Sequence, residues 1–351
     1  RQDGSLELAG HSAEIAEQAD QPLRLGPCLR PQRVAGICGR QAREILRSCV
    51  ERVGDAQQRL LAILEMEASP AGQGSARGCN GAISIRNVTK IYDPGGVNVI
   101  AVDNCSLEIA PGEICMIVGP SGCGKTTLLN AIAGFHSITS GTIHLDGELL
   151  CGPDRPKAEQ GADRIVVFQN GALFPWKPIL DNVPYGPMGQ GRLGRAEARD
   201  KGAHMLAEAG LHDVGDKYPG EVSSGMARRA EIVRALINDP KVLLLDEPYR
   251  AMDSLTKSIM HEALLEMYDR TKVTIFFITH DLEESIFLGD RVVVMTTRPA
   301  KVKKIVDVRI PRPRNYKVLS SNEFRYLFEE AKDAVHEEAI KAFEAGEREL
   351  A

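Results

Sequence analysis

From Ala82 onward, apolar residues fall into short runs that are separated by turn residues and by segments with helical spacing. The first two runs, 83–92 and 97–109, read as strands joined across a turn at 93–96. Further strands are expected at 114–118, 141–145, 164–168, 242–245, 273–278, 291–295 and 303–308. Because the last four of these strands alternate with helical segments, the pattern predicts a largely parallel sheet flanked by helices.

Helical spacing is expected in three places. Residues 128–133 follow the third strand, and residues from about 180 to 236 are mostly helical in pattern. After Pro311-Arg-Pro-Arg314, the tail carries apolar residues at helical spacing, which predicts a packed C-terminal helix. These residues are Phe324, Leu327, Phe328, Ala331, Val335, Ala339 and Phe343.

Residues 1–81 differ in composition from the rest of the chain. They contain no aromatic residue and no Lys, and all ten of their positive charges are Arg. Residues 41–67 have helical spacing, and 69–75 resemble a linker. We expect a partly helical or disordered N-terminal extension. Two interpretations stay open: a helix that docks on the next domain or on a partner, or upstream sequence that precedes a true start at Met66.

Composition and charge narrow the function classes. The chain has 351 residues and a net charge of −5, which gives no electrostatic argument for nucleic acid as a partner. No apolar run approaches the length of a membrane span, and the start of the chain has no signal-peptide pattern. The eight cysteines form no C-x-x-C pair, which indicates reduced thiols in a cytosolic protein.

The strongest chemical signal is the segment 119–127, which reads GPSGCGKTT and lies between an apolar strand and a helix. That context is the one a phosphate-binding loop requires. Its backbone N–H groups and the helix N-terminus suit the phosphates of a nucleotide, Lys125 would reach the β- and γ-phosphates, and Thr126 would ligate Mg²⁺. The expected nucleotide-binding residues of the loop are Gly119, Pro120, Ser121, Gly122, Cys123, Gly124, Lys125, Thr126 and Thr127.

Three further strand ends carry polar side chains that could complete this site. An apolar strand ends at Asp246-Glu247, where Asp246 would hold Mg²⁺ through water and Glu247 would act as general base. Gln169 could ligate the metal, and a neutral His280 could hydrogen-bond the γ-phosphate and hold the attacking water. Taken singly, the two acids could be solvated and the histidine structural.

The segment 222–229, which reads VSSGMARR, resembles the signature segment of ABC ATPases, and the other motifs stand in the order of that family. The resemblance covers residues 82–314. It implies an α/β fold: a P-loop NTPase (ABC ATPase) core with a mainly parallel sheet, an antiparallel β subdomain, and a helical signature subdomain at about 171–236. Residues 315–351 would form a C-terminal helical tail.

The resemblance also implies residue roles and a dimer. Tyr92 would stack on adenine, Gln169 would be the Q-loop glutamine, and residues 251–253, ending in Asp253, would form the D-loop. Asp246, Glu247 and His280 would keep the roles given above. The signature of one subunit would close over ATP held by a second subunit, either an identical copy or a related chain. The signature residues expected to contact that ATP are Ser223, Ser224, Gly225 and Met226.

A finer resemblance is to ATPase subunits of nitrate, sulfonate and taurine importers. It rests on the segments 172–176, 181–183 and 287–291, and on 297–299 followed by 311–314. It implies transmembrane permease subunits and a periplasmic substrate-binding protein as partners, with the chain peripheral on the cytoplasmic face of the inner membrane. Trp176 lies where such a subunit would meet the permease, but it could equally be a core residue of the helical subdomain.

The sequence departs from the family pattern in the signature. Ser224 replaces the usual Gly, so its Cβ would restrict the backbone, and Arg228 replaces the usual Gln. We expect an active but slow ATPase, and the alternative is a soluble or regulatory ABC-type protein with weak hydrolysis. For Cys123, inside the phosphate loop, one hypothesis is a thiol with a lowered pKa beside Lys125, and the other is a tolerated small residue.

Overall fold

The computed structural model describes residues 80–250, 252–344 and 346, and the account of the fold refers to these residues. The expected N-terminal extension and its helix at 41–67 lie outside them. Ten strands are present: β1 (Ile83–Tyr92), β2 (Val99–Ile109), β3 (Ile114–Val118), β4 (Ser140–Leu145), β5 (Glu148–Cys151), β6 (Arg164–Val167), β7 (Val242–Asp246), β8 (Thr274–Ile278), β9 (Arg291–Met295) and β10 (Val302–Asp307).

Four of the strands form an antiparallel sheet in the order β2-β1-β4-β5. Strand β1 pairs with a strand on each side: Ile83 of β1 lies opposite Ile109 of β2 and opposite Leu145 of β4. Their side chains are buried on the inner face, as the alternating pattern predicts. The short strand β5 was not predicted from the sequence; it completes a hairpin with β4 across the turn at Asp146-Gly147.

The other six strands form the central sheet, in the order β10-β9-β3-β8-β7-β6. All neighbouring pairs from β9 to β6 are parallel. The strand predicted at 303–308 differs from the expected alternation, because β10 pairs with β9 in the antiparallel direction. Only residues 296–301 connect the two strands, and a parallel pair would need a crossover of a dozen or more residues.

Eight α-helices accompany the sheets in the described residues. The helical region expected at 180–236 consists of α2 to α5 with intervening turns. The helices are α1 (Lys125–Ala133), α2 (Ile179–Asn182), α3 (Tyr185–Gly189), α4 (Arg195–Glu208), α5 (Ser224–Leu236), α6 (Ser254–Thr271), α7 (Leu282–Leu288) and α8 (Asn322–Glu344). None of them is long and apolar enough to cross a bilayer.

The central strands bury both faces, and the alternation along β3 shows how. Cys115 and Ile117 pack in a core with α1 and the antiparallel sheet. Ile114, Met116 and Val118 pack in a second core on the opposite face, with α5 to α8. A third, smaller core joins α2, α4 and α5, so the helical region has apolar packing of its own. The α/β fold with a mainly parallel sheet is therefore confirmed.

The C-terminal helix packs as predicted up to Val335, but not at Ala339 and Phe343. Phe324, Leu327 and Ala331 are buried, but Phe343 is 80% exposed and Ala339 is also exposed. Near its end, the helix buries Ala342 and the charged residue Glu338 instead. Glu338 can be buried because its carboxylate has polar partners. Its Oε2 accepts the Thr297 N–H at 2.9 Å, and its other oxygen lies 3.0 Å from Lys303 Nζ.

Candidate functional site

The phosphate-loop sequence forms the turn between β3 and α1. Gly124, the residue before Lys125, has φ 121° and forms the N-cap of α1. A Cβ at this position would lie 2.4 Å from the Ala101 carbonyl oxygen, so the loop can pass β2 at this distance only with glycine. The loop therefore presents its backbone and the N-terminus of α1 to the space above the sheet.

Lys125 folds back over the loop. Its Nζ donates to the carbonyl oxygens of Gly119, at 2.7 Å, and Pro120, at 2.8 Å, and the residue is only 5% exposed. The ammonium group is thus held at the mouth of the loop, and no carboxylate of the described residues lies within ion-pair distance of it. A phosphate entering the loop would meet a positive charge that is already in place.

Thr126 and Asp246 bring two oxygen ligands together from different elements. The Thr126 hydroxyl donates to Asp246 Oδ1 at 3.2 Å, which joins the start of α1 to the end of β7. Burial raises the pKa of Asp246, although the hydrogen bond from Thr126 opposes this effect. A hydroxyl beside a desolvated carboxylate is a donor set that suits Mg²⁺, and a cation here would offset the cost of burying the charge.

Gln169 lies in the turn after β6 and lines the same cavity as Asp246. Its carbonyl oxygen accepts a hydrogen bond of 2.7 Å from Arg228 on α5. Gln169 is therefore held at the wall of this cavity by a turn whose backbone is hydrogen-bonded to α5.

Glu247 directly follows β7 and faces His280, which follows β8. Glu247 Oε2 lies 3.5 Å from His280 Nδ1 and 3.1 Å from an Arg250 guanidinium nitrogen. The hydrogen bond with His280 lowers the pKa of Glu247, and it raises the pKa of His280. Glu247 also has φ 44°, a left-handed conformation that costs a non-glycine residue about 1 to 2 kcal/mol. Its N–H is bonded to the Ile278 carbonyl oxygen at 3.0 Å, which helps to hold this conformation.

Tyr92 ends β1 at the edge of the same cavity. Its hydroxyl is 2.8 Å from His136 Nδ1, and the Lys90 ammonium lies 4.8 Å from the centre of its ring. One ring face is therefore covered by a cation, and the position of the ring is fixed through its hydroxyl. These contacts leave Tyr92 able to offer a flat surface at the cavity rim.

The cavity of about 360 Å³ gathers most of the predicted residues. It also contains four residues that sequence reasoning missed: two small apolar residues of β2, and two arginines. Arg250 comes three residues after Glu247, and Arg298 follows β9 and donates to the Gly122 carbonyl oxygen at 3.1 Å. Each arginine comes a few residues after the end of a strand, and that position could have marked it as a candidate site residue. The lining is Tyr92, Val99, Ala101, Ser121, Gly122, Gly124, Lys125, Thr126, Thr127, Gln169, Asp246, Glu247, Arg250 and Arg298.

The signature residues do not line this cavity. Ser223 caps α5, where its Oγ accepts the Met226 N–H at 3.3 Å, and it is exposed together with Ser224. Asp253 caps α6 in the same way, and hydrogen bonds from Thr256 lower its pKa. Ala251, within the predicted D-loop, lies outside the described residues. The two helix N-termini thus present their donors to a surface apart from the phosphate loop.

Ser224 has an ordinary helical backbone in this chain. Ser224 is the first residue of α5, and it is not among the described non-glycine residues with positive φ. The buried position in the signature is Gly225, where a Cβ would lie 3.0 Å from Thr256 Cγ2 of α6. The glycine that packing requires is therefore present.

The hypothesis of a lowered Cys123 pKa is wrong. The thiol is fully buried, and this burial raises its pKa more than the neighbouring Lys125 charge lowers it. Sequence proximity to a lysine and a helix start does not reveal desolvation. The other hypothesis, a tolerated small residue, fits its apolar surroundings.

Trp176 is 70% exposed, so it is not a core residue of the helical region. Its ring lies 5.5 Å from that of Phe174, which in turn contacts Tyr185. These three aromatic side chains form a surface patch at the start of the helical region, which we call the aromatic patch.

A phosphate loop after a buried parallel strand, next to strands that end in a carboxylate pair and a histidine, defines a P-loop nucleotide hydrolase. A family model described as "ABC transporter" matches residues 102–250. The taurine import ATP-binding protein of Jannaschia sp. is 42% identical over 233 residues, which are 65% of this chain and 82% of that protein. The nitrate import ATP-binding protein of Synechocystis sp. is 39% identical over 248 residues, 69% of this chain and 90% of that protein.

Among solved structures, a dimeric ATP-binding cassette in a post-hydrolysis state, bound to ADP and Pi, is similar with a TM-score of 0.57. It is 28% identical, and the match covers 65% of this chain and 100% of that one. The chain belongs to the family of ABC transporter ATP-binding proteins, and its class of activity is that of an ABC ATPase.

Proposed function

We propose that this chain is the ATP-hydrolysing subunit of a membrane importer for a small anion, and that two copies close around Mg-ATP. One observation carries the proposal. The cavity is lined by the phosphate loop and both carboxylates, with His280 next to Glu247, whereas the signature residues Ser223 to Met226 do not line it and begin with the exposed Ser223 and Ser224. One chain therefore offers two separate half-sites, and a second copy would bring the missing half to each.

Binding of ATP would begin at the loop. The backbone N–H groups of residues 119–127 would surround the α- and β-phosphates, and Lys125 would exchange its two carbonyl partners for phosphate oxygens. Tyr92 would stack on the adenine ring. Because stacking reads a ring face and not a base edge, we expect modest discrimination against GTP.

Thr126, Gln169 and Asp246 would hold Mg²⁺, Asp246 through water. When bound, the cation would neutralise charge on the β- and γ-phosphates. The contact between Thr126 and Asp246, and the raised pKa of Asp246, support this assignment because a cation would stabilise the charged carboxylate.

Glu247 would act as general base toward the attacking water. Its lowered pKa keeps the carboxylate ionised at neutral pH, so that it can accept a proton. His280 would be held by Glu247 before ATP arrives and would then donate a hydrogen bond to the γ-phosphate. Arg250 would share the negative charge of Glu247 in the open state.

The second copy would supply the signature. The Ser223 hydroxyl and the Gly225 N–H, with Ser224 and Met226 beside them, would donate to the γ-phosphate from the N-terminus of α5. Asp253 would lie at the same subunit boundary. Closure would then be stabilised by ATP and released after hydrolysis.

The aromatic patch is the proposed contact with transmembrane permease subunits. Its exposed rings are of the type that protein interfaces favour, and Trp176 is the most exposed of them. In the proposed system the chain lies at the cytoplasmic face of the inner membrane and works with a periplasmic substrate-binding protein. The names of the taurine and nitrate relatives support a small anion as the transported molecule.

Two variants test the dimer. Glu247→Gln should bind Mg-ATP and accumulate as a dimer in analytical ultracentrifugation, because it keeps the binding groups and lacks the base. Adding Ser223→Arg to that variant should abolish the dimer and leave ATP binding by the monomer intact. A Glu247→Gln protein that stays monomeric with saturating Mg-ATP would refute the proposed dimer.

A further inference from the structure

Two oppositely charged residues are buried one turn apart on α5, behind the signature. Arg228 and Glu231 are each 8% exposed, and an Arg228 guanidinium nitrogen lies 2.6 Å from Glu231 Oε2. Burying two charges is costly unless each is also hydrogen-bonded elsewhere. The remaining donors and acceptors of this pair therefore indicate what it does.

Within the part of the chain that the structure describes, all further hydrogen bonds of the pair go to the turn that carries Gln169. Arg228 donates to the carbonyl oxygens of Phe168, at 2.6 Å, and Gln169, at 2.7 Å. Glu231 Oε1 accepts the Ala172 N–H at 2.5 Å. The pair thus fastens residues 168–172 to α5 at three backbone groups, and we call this set of contacts the Q-loop clamp.

The turn is shaped to receive the clamp. β6 ends at Val167, so the carbonyl groups of the next two residues have left the strand ladder. Gly171 has φ 75°, and a Cβ there would lie 3.0 Å from Glu231 Oε1, which only a glycine avoids without a shift. The clamp joins the two ends of the proposed mechanism, because Gln169 faces the cavity and α5 begins at the signature.

We infer that Arg228 and Glu231 are positioning residues that hold Gln169 at the ATP cavity and make it move with the signature helix. The inference rests on the proposed function, in which Gln169 contributes to holding Mg²⁺. A lysine could not replace Arg228, because the planar fork spans two successive carbonyl groups and an ammonium does not.

The first test measures the clamp without ATP. Amide hydrogen exchange is followed in peptides covering 168–173 in the full chain and in the double variant Arg228→Gln/Glu231→Gln, which leaves no unpaired buried charge. Exchange in this turn should become about tenfold faster. Arg229→Gln is the matched control, since Arg229 is the next residue and donates to the Ala209 carbonyl oxygen on another turn; it should leave the exchange of 168–173 unchanged.

The second test separates positioning from simple stabilisation. The Mg²⁺ concentration that half-saturates ATP hydrolysis should rise about tenfold or more in the double variant and in Gln169→Ala. Combining the three substitutions should raise it little further, because the clamp would act through Gln169. The apparent affinity for ATP should change much less.

Unchanged exchange in the turn would overturn the inference. Faster exchange with an unchanged Mg²⁺ requirement, or fully additive effects with Gln169→Ala, would also overturn it and leave the pair a structural element. A parent chain that fails to bind ATP would instead refute the proposed function. The exchange experiment would then still report whether the clamp exists, so the two failures are distinguishable.

Discussion

His280 Nδ1 lies 3.5 Å from Glu247 Oε2, so the residue proposed to contact the γ-phosphate is paired with the proposed base before ATP is present. This pairing raises the pKa of His280 above its ordinary value. The imidazole is therefore protonated to a higher pH than a free histidine, and both of its nitrogens can donate.

The pairing predicts opposite shifts in two variants. In Glu247→Gln the His280 pKa should fall toward about 6.5, the value of an isolated histidine. In Arg250→Gln it should rise, because Arg250 lowers the pKa of His280 by charge repulsion. NMR titration of the imidazole signals in ATP-free protein measures both shifts, and a His280 pKa that is the same in all three proteins would contradict the pairing.

The same pair predicts how stability depends on pH. The raised His280 pKa adds stability that is fully present below about pH 6.5 and is lost as the pH rises through the folded pKa. The lowered Glu247 pKa adds stability that is present above about pH 4.3 and is lost as the pH falls through the folded pKa. In urea unfolding, the free energy of unfolding should therefore differ more between the parent and Glu247→Gln at pH 5.5 than at pH 8.5. An equal difference at the two pH values would contradict a stabilising Glu247–His280 pair.

Cys123 should be a slow nucleophile despite its place in the phosphate loop. The thiolate is the reactive form, and burial raises the pKa of this thiol while also blocking access to it. At pH 8, iodoacetamide should modify Cys123 at least about tenfold more slowly than an exposed thiol. Peptide mass spectrometry follows the reaction, and the control is the same peptide obtained from protein that was alkylated while unfolded in urea. Rapid alkylation of the folded chain, blocked by ATP, would restore the rejected hypothesis.

Glu338 is expected to stabilise the attachment of α8. It accepts hydrogen bonds from the Thr297 N–H and from Lys341, and it lies 3.0 Å from Lys303 Nζ. Removing a buried, charged acceptor costs about 2 kcal/mol, so Glu338→Ala should lower the free energy of unfolding by about that amount. The neighbouring Glu337 is exposed, so Glu337→Ala should lower the free energy of unfolding clearly less than Glu338→Ala does. Equal effects in urea unfolding would contradict this role.

The sequence predicted the parts of the site that lie at strand ends. Asp246 ends β7, Glu247 follows it, and His280 comes after β8. The carboxyl ends of these parallel strands meet at one edge of the sheet, and the glycine spacing predicted the phosphate loop beside them. These positions follow from local pattern and a general rule of topology, so a single sequence was sufficient.

The contacts that sequence reasoning missed join distant segments. Arg298 reaches the phosphate loop from the turn after β9, and Arg228 fastens a turn 60 residues earlier in the chain. Neither partner can be inferred from spacing. The burial of Cys123 and the exposure of Phe343 likewise depend on what packs against each residue, which periodicity does not specify.

If the site is divided between two copies, two inactive variants should restore each other's ATPase activity when they are mixed. Lys125→Ala damages the cavity half of each copy, and Ser223→Ala, which removes the hydroxyl donor without adding bulk at the interface, damages the signature half, so each variant alone should have little ATPase activity. In a mixture, half of randomly formed dimers are mixed and contain one intact site. The rate should recover to about a quarter of the parent's when the two sites work independently.

A second mixture is the control for this recovery. Lys125 and Glu247 belong to the same cavity, so a mixed dimer of Lys125→Ala with Glu247→Gln has a lesion in each of its two sites. That mixture should stay as inactive as its components under the same steady-state assay. Recovery in the first mixture and not in the second requires that the groups of the cavity and the signature come from different chains. A first mixture that stays inactive would instead indicate that a single chain holds a complete site, and it would refute the shared site. Recovery in the second mixture would mean that Lys125 and Glu247 do not act in one cavity.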